Sequence, residues 1–217
     1  MRIVLILIFA VGISSAFSQV YSSYPNSSSG WGQTTFPSEL WHEGKIILES
    51  GDTLKGNVKY DLQNDILQYE VAGKLESFSS RKVLFFEIFD KTVKRYRQFY
   101  SLPYATSGGY KATVFFELLS EGKLTLLCRE ALEYRSNVNP YYNYGYGSTT
   151  RTVLVNKFFL LNERGIIEPF SGKKNDLIDL MGRQSETVEK YIKANKLKAD
   201  QKYELAEIVN YYNSLFK

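Results

Sequence analysis

The sequence predicts an α+β fold: an antiparallel β-rich sandwich or barrel-like body followed by a C-terminal helical segment. Three observations predict it. Aromatics make up 15% of the chain, with 17 Tyr and 14 Phe, and both residues favour the pleated, half-buried surface of a sheet. Between residues 39 and 170, short runs of alternating apolar and polar residues are separated by turn signals. Beyond Gly172 the apolar period lengthens to that of a helix, so runs of strands give way to helices.

The chain opens on MRIVLILIFAVGISSAFSQ. Arg2 is a positive start, Ile3 to Ile13 form an apolar core, and Ala16 and Ser18 stand at −3 and −1 of a cut before Gln19. Residues 1–18 therefore read as a secretory signal peptide, and the apolar run is shorter than the roughly 20 residues that span a bilayer. Residues 19–38 are rich in Ser, Gly, Tyr and Pro without an apolar period, and read as a flexible segment that Trp31 and Phe36 can tack to the body. No later segment is long and apolar enough to cross a membrane as a helix.

The β-rich domain, residues 39–170, begins with a hairpin. Ile46 and Leu48 alternate with Ile47 and Glu49, then Gly51-Asp52 reads as a two-residue turn of type II′, and Leu54, Val58 and Tyr60 recur at even spacing. Gly56 inside the second run marks a bulge or the close approach of another strand. Leu67, Tyr69 and Val71 define a third strand. RKVLFFEIFD and TVKRYRQFYSL give two more around a turn near Asp90-Lys91. A second hairpin turns at Glu121-Gly122, and its return strand puts Leu124, Leu126, Cys128, Leu132 and Tyr134 on one face. A long strand from Arg151, a turn at Glu163-Arg164-Gly165 and a short return ending near Pro169 complete the set.

The helical segment, residues 171–217, carries Leu177, Leu180 and Met181, then Val188, Tyr191 and Ile192 with Ser185 as N-cap. Last come Leu205, Ile208, Val209, Tyr212, Leu215 and Phe216 with Asp200 as cap. The final set follows i, i+3, i+4, i+7, so one stripe is expected to be buried, either in the domain's own core or in a partner's groove.

Composition narrows the chemistry. The formal charge is +4 from 27 basic and 23 acidic residues, too mild and too dispersed for a nucleic-acid face. A single cysteine excludes an internal disulfide, so an exported chain of this length must be held by its core. A bacterial envelope or periplasmic setting fits that better than a small disulfide-stapled module does. His42, the sole histidine, is expected at a surface or strand edge. With no second imidazole, no Cys-x-x-Cys and no HExxH, no metal site or cofactor is expected. Cys128, between leucines, reads as core packing, and no nucleophile elbow is present.

Two candidate sites remain. Glu70, Glu87, Glu117 and Glu130 lie in strands, and the strands of Glu117 and Glu130 face each other across the Glu121-Gly122 hairpin. A glycan hydrolase needs only such a pair at the right separation, whereas strand acids are more often solvated or paired with Lys or Arg. In KTVKRYRQFY, Arg95 and Arg97 share one strand face while Lys94 and Tyr96 share the other. That splits the charge between the faces and fits a guarded strand better than an anion groove. The stretch NPYYNYGYGSTTR carries Tyr141, Tyr142, Tyr144 and Tyr146 between two strands. It is read as a contact surface for sugar or protein, set against a plain connector whose ordering costs free energy.

The segments GKIILESGDTLKGNVKYD and YIKANKLKADQKYELAEIVNYYNSL resemble parts of uncharacterised exported proteins of Bacteroidetes-type bacteria. The likeness covers about a quarter of the chain and rests on structural motifs. It implies an envelope location, in the periplasm or at the cell surface, and carries no active-site residue across. It also makes Thr53, in Asp52-Thr53-Leu54, similar to the O-glycosylation acceptor of that group. An ordinary turn followed by a β-former explains the same residues.

The reading that follows is an exported envelope protein acting by non-enzymatic binding or assembly, with an envelope protein or a glycan as partner. The alternative is a glycan-binding module or a carboxylate-dependent glycan hydrolase.

Overall fold

The computed structural model describes residues 36–105, 110–137 and 149–216. The expected leader, residues 19–35 and the tyrosines of 141–146 lie outside the described residues. Ten strands form one antiparallel sheet: β1 (His42–Leu48), β2 (Thr53–Asp61), β3 (Ile66–Val71), β4 (Lys74–Ser79), β5 (Val83–Asp90), β6 (Arg95–Ala105), β7 (Lys111–Ser120), β8 (Thr125–Asn137), β9 (Thr149–Leu161) and β10 (Ile167–Phe170). Helices α1 (Lys174–Leu180), α2 (Ser185–Asn195) and α3 (Lys202–Ser214) follow. The predicted α+β fold is the observed one. Among the described residues no helix is long and apolar enough to cross a membrane.

The sheet order is β10-β9-β8-β7-β6-β5-β1-β2-β3-β4. Two meanders, β1 to β4 and β5 to β10, are joined side by side through β1 and β5. That topology forces curvature. On a flat sheet β4 and β5 stand four strand spacings apart, about 19 Å. Residues 80–82 connect them and reach at most about 14 Å. The strands must therefore roll, and the inner side of the roll is lined by Ile46, Val58, Leu67, Phe86, Phe99 and Phe115, all 0% exposed.

The roll is not closed by a ladder. β7 pairs with β8 only at its end, through Glu117, Leu118 and Ser120. Earlier in β7 the backbone is met by side chains instead. Asp65, in the β2–β3 turn, accepts from the Phe115 N–H at 2.8 Å, and Ser80 donates to the Thr113 carbonyl at 2.6 Å. Arg129, where β8 diverges, donates to the Phe115 carbonyl at 2.7 Å, to Asp65 at 2.8 Å and to the Leu62 carbonyl. Backbone groups that a closed barrel would pair with a strand are thus satisfied by polar side chains.

Two further cores complete the body. The helices lay Leu177, Val188, Leu205, Ile208 and Val209 on Leu126, Cys128 and Phe158. On the reverse face of β7 to β9, Val114, Phe116, Leu127 and Phe159 cluster, with Tyr104, Phe116 and Phe159 in edge-to-face contact at 5.1–5.6 Å, a favoured aromatic geometry.

Several sequence expectations are corrected. The first hairpin turns over Glu49, Ser50 and Gly51: the Gly51 N–H donates to the Leu48 carbonyl and the Leu48 N–H to the Asp52 carbonyl. Gly51 supplies a positive φ of 91° at the end of the loop, as in a turn followed by a G1 bulge, and not at the start of a type II′ turn. Gly56 is a close approach: an added Cβ would lie 2.7 Å from the Glu70 carbonyl oxygen and 2.8 Å from the Tyr69 ring. β4 was not expected, because nearly all its side chains are exposed and leave no apolar period. Tyr134, at 80% exposed, and Leu180, at 52%, lie off the buried faces. Neither Ser185 nor Asp200 caps a helix. The 3₁₀ turn Gly182–Gln184 runs straight into α2, and Gln201, extended, precedes α3 without a side-chain cap bond. Pro37, inside the segment read as flexible, is buried in a 3₁₀ turn.

The stripe of α3 is spent on the chain's own sheet, so the helical segment is core and not a free docking arm. Removal of residues 173–217 exposes Leu126, Cys128 and Phe158 together, each full burial being worth about 1.5–3 kcal/mol for a large apolar side chain. The truncated chain is expected to lose its cooperative urea transition and its near-UV circular dichroism. A folded, soluble truncation contradicts this assignment.

Candidate functional site

Among the described residues the most concentrated chemistry lies under α3, between the core that the helices cover and the core inside the roll. Strand parity assembles it. Arg97 precedes Phe99 by two, Glu117 follows Phe115, Glu130 follows Cys128, Asp90 follows Ile88 and Tyr60 follows Val58, so each polar residue continues a buried face. From above, Lys202 opens the stripe that continues through Leu205, Ala206 and Val209.

Arg97 is the hub, 2% exposed. Its Nε donates to Glu117 Oε1 at 3.0 Å and its Nη2 to Glu117 Oε2 at 2.7 Å, a two-pronged clamp. Nη2 also donates to Glu130 at 2.7 Å. Nη1 donates to the Tyr60 hydroxyl at 2.8 Å and to Asp90 at 2.9 Å. Every one of the five guanidinium N–H groups thus has an acceptor. Lys202 Nζ lies 2.7 Å from Glu117 and 2.8 Å from Glu130. The Tyr60 hydroxyl, accepting from Arg97, donates to Glu130 at 2.9 Å. On a flat sheet Tyr60 and Glu130 stand five strand spacings apart, about 24 Å; the roll brings them into contact.

The protonation states follow from burial and neighbours. Burial works against charge on Glu130, but Lys202 and Arg97 outweigh it and hold its carboxyl at about 2. Burial likewise opposes charge on Arg97, and Glu117, Tyr60 and Glu130 overcome it, so the guanidinium is held above its ordinary value. Burial and Arg97 push Lys202 down while Glu117 and Glu130 push it up further, and the ammonium persists. Burial raises the Tyr60 hydroxyl well above its usual range, which keeps its donated proton in place. Because Glu130 is held below its unfolded value, its stabilisation is complete above about pH 5 and drains away as pH falls towards 2, some 3 kcal/mol in all. The arrangement can clamp and orient, and Glu130, held at about 2, is no donor of a proton near neutrality.

Beside this network opens a cleft of about 370 Å³ between β2–β3 and β8–β9, with Tyr60 and Glu130 at its wall. Ile66, Leu132 and Leu154 contribute apolar lining, and Glu39, Lys59, Asp61, Gln63 and Gln68 polar lining. Its volume falls within the range of small-ligand pockets.

Other sequence candidates fall elsewhere. Glu70 accepts from Asn57 and the Gly73 N–H, and Glu87 pairs with Lys45 and Gln98. His42, expected at a surface or edge, is 2% exposed, because β1 lies between β5 and β2; its Nε2 is 2.8 Å from the Pro37 carbonyl. Cys128 is fully buried and its thiol is pushed up to about 12 by burial, the state of an inert core residue. Arg97, read as a strand guard, is interior. Its face-mate Arg95 does stand outside, 3.9 Å over the Tyr203 ring. Thr53 is exposed at the first position of β2. Among the described residues no group of His, Cys, Asp and Glu is placed to hold a metal ion. The chain matches no family model, no curated protein and no solved structure.

Arg97→Met leaves three buried carboxyl groups around one ammonium and is expected to cost about 3–5 kcal/mol in urea denaturation. Arg97→Lys keeps the charge but cannot fill five acceptors, so it recovers only part of that loss. Full recovery by lysine contradicts the hub geometry.

Proposed function

We propose that this chain is exported and acts in the cell envelope by binding a ligand in the cleft beside Tyr60 and Glu130, without turning it over. One observation carries the reading: Glu117 and Glu130, the acids of the two hairpin strands, are each bonded to both Arg97 and Lys202. A glycan hydrolase requires one carboxyl raised enough to donate a proton, whereas Glu130 is held at about 2. The thiol and the imidazole are likewise spent on packing.

The cleft's own chemistry fits a glycan. The apolar lining of Ile66, Leu132 and Leu154 can accept the C–H face of a sugar ring, and the polar lining of Lys59, Asp61, Gln63 and Gln68 can meet its hydroxyls. Tyr141, Tyr142, Tyr144 and Tyr146 are the second contact surface we propose. Export rests on the leader of residues 1–18 and on the resemblance to exported Bacteroidetes-type proteins, which also puts Thr53 forward for O-glycosylation.

Titration of ¹⁵N-labelled residues 19–217 with soluble envelope polysaccharide fragments is expected to shift Lys59, Gln68 and Leu132 saturably and leave the fragments uncut. Leu132→Trp, which fills the cleft, is expected to abolish those shifts. New reducing ends, or shifts that survive the tryptophan, overturn the binding assignment. Recovery from the envelope fraction of a chain starting at Gln19 supports export; a retained Met1 contradicts it.

A further inference from the structure

We propose that β4 is a self-pairing edge, and that two copies of this chain join β4 to β4 across a two-fold axis at Leu75. The two ends of the sheet differ. β10 has four residues with Pro169 among them, a residue that cannot donate to a ladder and guards an edge. β4 has six residues, no proline and an unbroken register with β3.

Which β4 backbone groups are open is fixed by its hairpin. Ala72 and Gly73 both have positive φ, 51° and 77°, the signature of a type I′ turn. Such a turn closes on a hydrogen-bonded pair, here Val71 and Lys74. Bonding alternates along an antiparallel ladder, so Lys74, Glu76 and Phe78 direct their backbone groups to β3. The Ser80 N–H, bonded to the Asp65 carbonyl at 3.0 Å, keeps the same parity. Leu75 and Ser77 therefore direct theirs outward, as does the Ser79 N–H, while the Ser79 carbonyl already accepts from the Lys82 N–H at 2.9 Å.

A second β4 can bond only in registers that set outward residues opposite outward residues. In one of these Leu75 faces Leu75 of the second copy, and Lys74 faces Glu76 on both sides of the axis. Shifting one strand by two residues sets Glu76 against Glu76. Shifting it by four sets Glu76 against Phe78 and leaves both charges alone. Opposite charges directly across a ladder stabilise it, and like charges destabilise it. Neither Lys74 nor Glu76 has an ion-pair partner among the described residues, and Leu75 is 61% exposed. The charge pattern thus selects one self-complementary register, an isologous contact. A lone strand pair is small, so the association is reversible and concentration-dependent. It is independent of what the cleft binds.

Sedimentation velocity of residues 19–217 over a roughly hundredfold range of concentration is expected to show a monomer–dimer equilibrium. Lys74→Glu or Glu76→Lys alone is expected to weaken it about tenfold or more, and the double variant K74E/E76K restores it, since the swap regenerates both pairs. Leu75→Cys is expected to form an intermolecular disulfide under mild oxidation and Ser77→Cys to form little, because only position 75 meets itself at the axis; the native Cys128 is buried. Circular dichroism checks that each variant is folded. A folded chain that stays monomeric throughout, or a double variant as weak as the singles, overturns the proposal, as does preferential cross-linking at 77. Capture of a different protein on β4 while the purified chain remains monomeric also counts against it.

Discussion

A guanidinium without water must find an acceptor for each of its N–H groups, and Arg97 finds them on four strands. Asp90 ends β5, Tyr60 lies on β2, Glu117 on β7 and Glu130 on β8. Lys202 brings in α3 through two of the same carboxylates. Strands from both meanders and the helical layer thus share one set of hydrogen bonds. Burying so many charges is expensive on its own, and a well-packed apolar core of equal volume is often as stable. What the network supplies is direction. Apolar contacts permit many docking angles between β2 and β8, whereas the Arg97 fork and the Tyr60 hydroxyl permit very few.

The cleft depends on this arrangement. β2 and β8 come together at Tyr60 and Glu130, and β7 pairs with β8 over only a few residues. The opening between them is partly filled by Arg129 and Asp65; what stays open is bordered by β2–β3 and β8–β9. The cleft is therefore a by-product of incomplete barrel closure, with Tyr60 and Glu130 of its wall held by the ion pairs behind them. A pocket whose supporting side chains are already bonded needs little reordering when a ligand arrives.

Much of this was legible in the residues, and the losses have a physical pattern. Strands with one apolar face and helices with an apolar stripe declared themselves, as at Ile46 and Leu54 in the first hairpin and at Leu205 to Tyr212 in α3. β4 was silent because both its faces meet solvent. The buried network is hidden in the sequence because a charged residue on a strand ordinarily marks the solvent face. Parity alone places Arg97 with Phe99, Asp90 with Ile88 and Glu130 with Cys128, and that alternation was the available signal. What no local pattern carries is the roll, which joins residues 70 apart in the chain through Tyr60 and Glu130. It follows from the short β4–β5 link, and the link is readable only once β4 is recognised.

The state of Glu130 separates a clamp from a catalyst most directly. Its side-chain carboxyl carbon can be followed by ¹³C NMR as the pH is lowered, with Glu130→Gln assigning the signal. A sealed, doubly paired carboxylate is expected to titrate near 2, in step with the onset of unfolding. A midpoint at or above the ordinary glutamate value of about 4.3, reached in the folded protein, would show an acid that Arg97 and Lys202 do not hold ionised, able to carry a proton, and the account of Arg97 as a closed hub would fail.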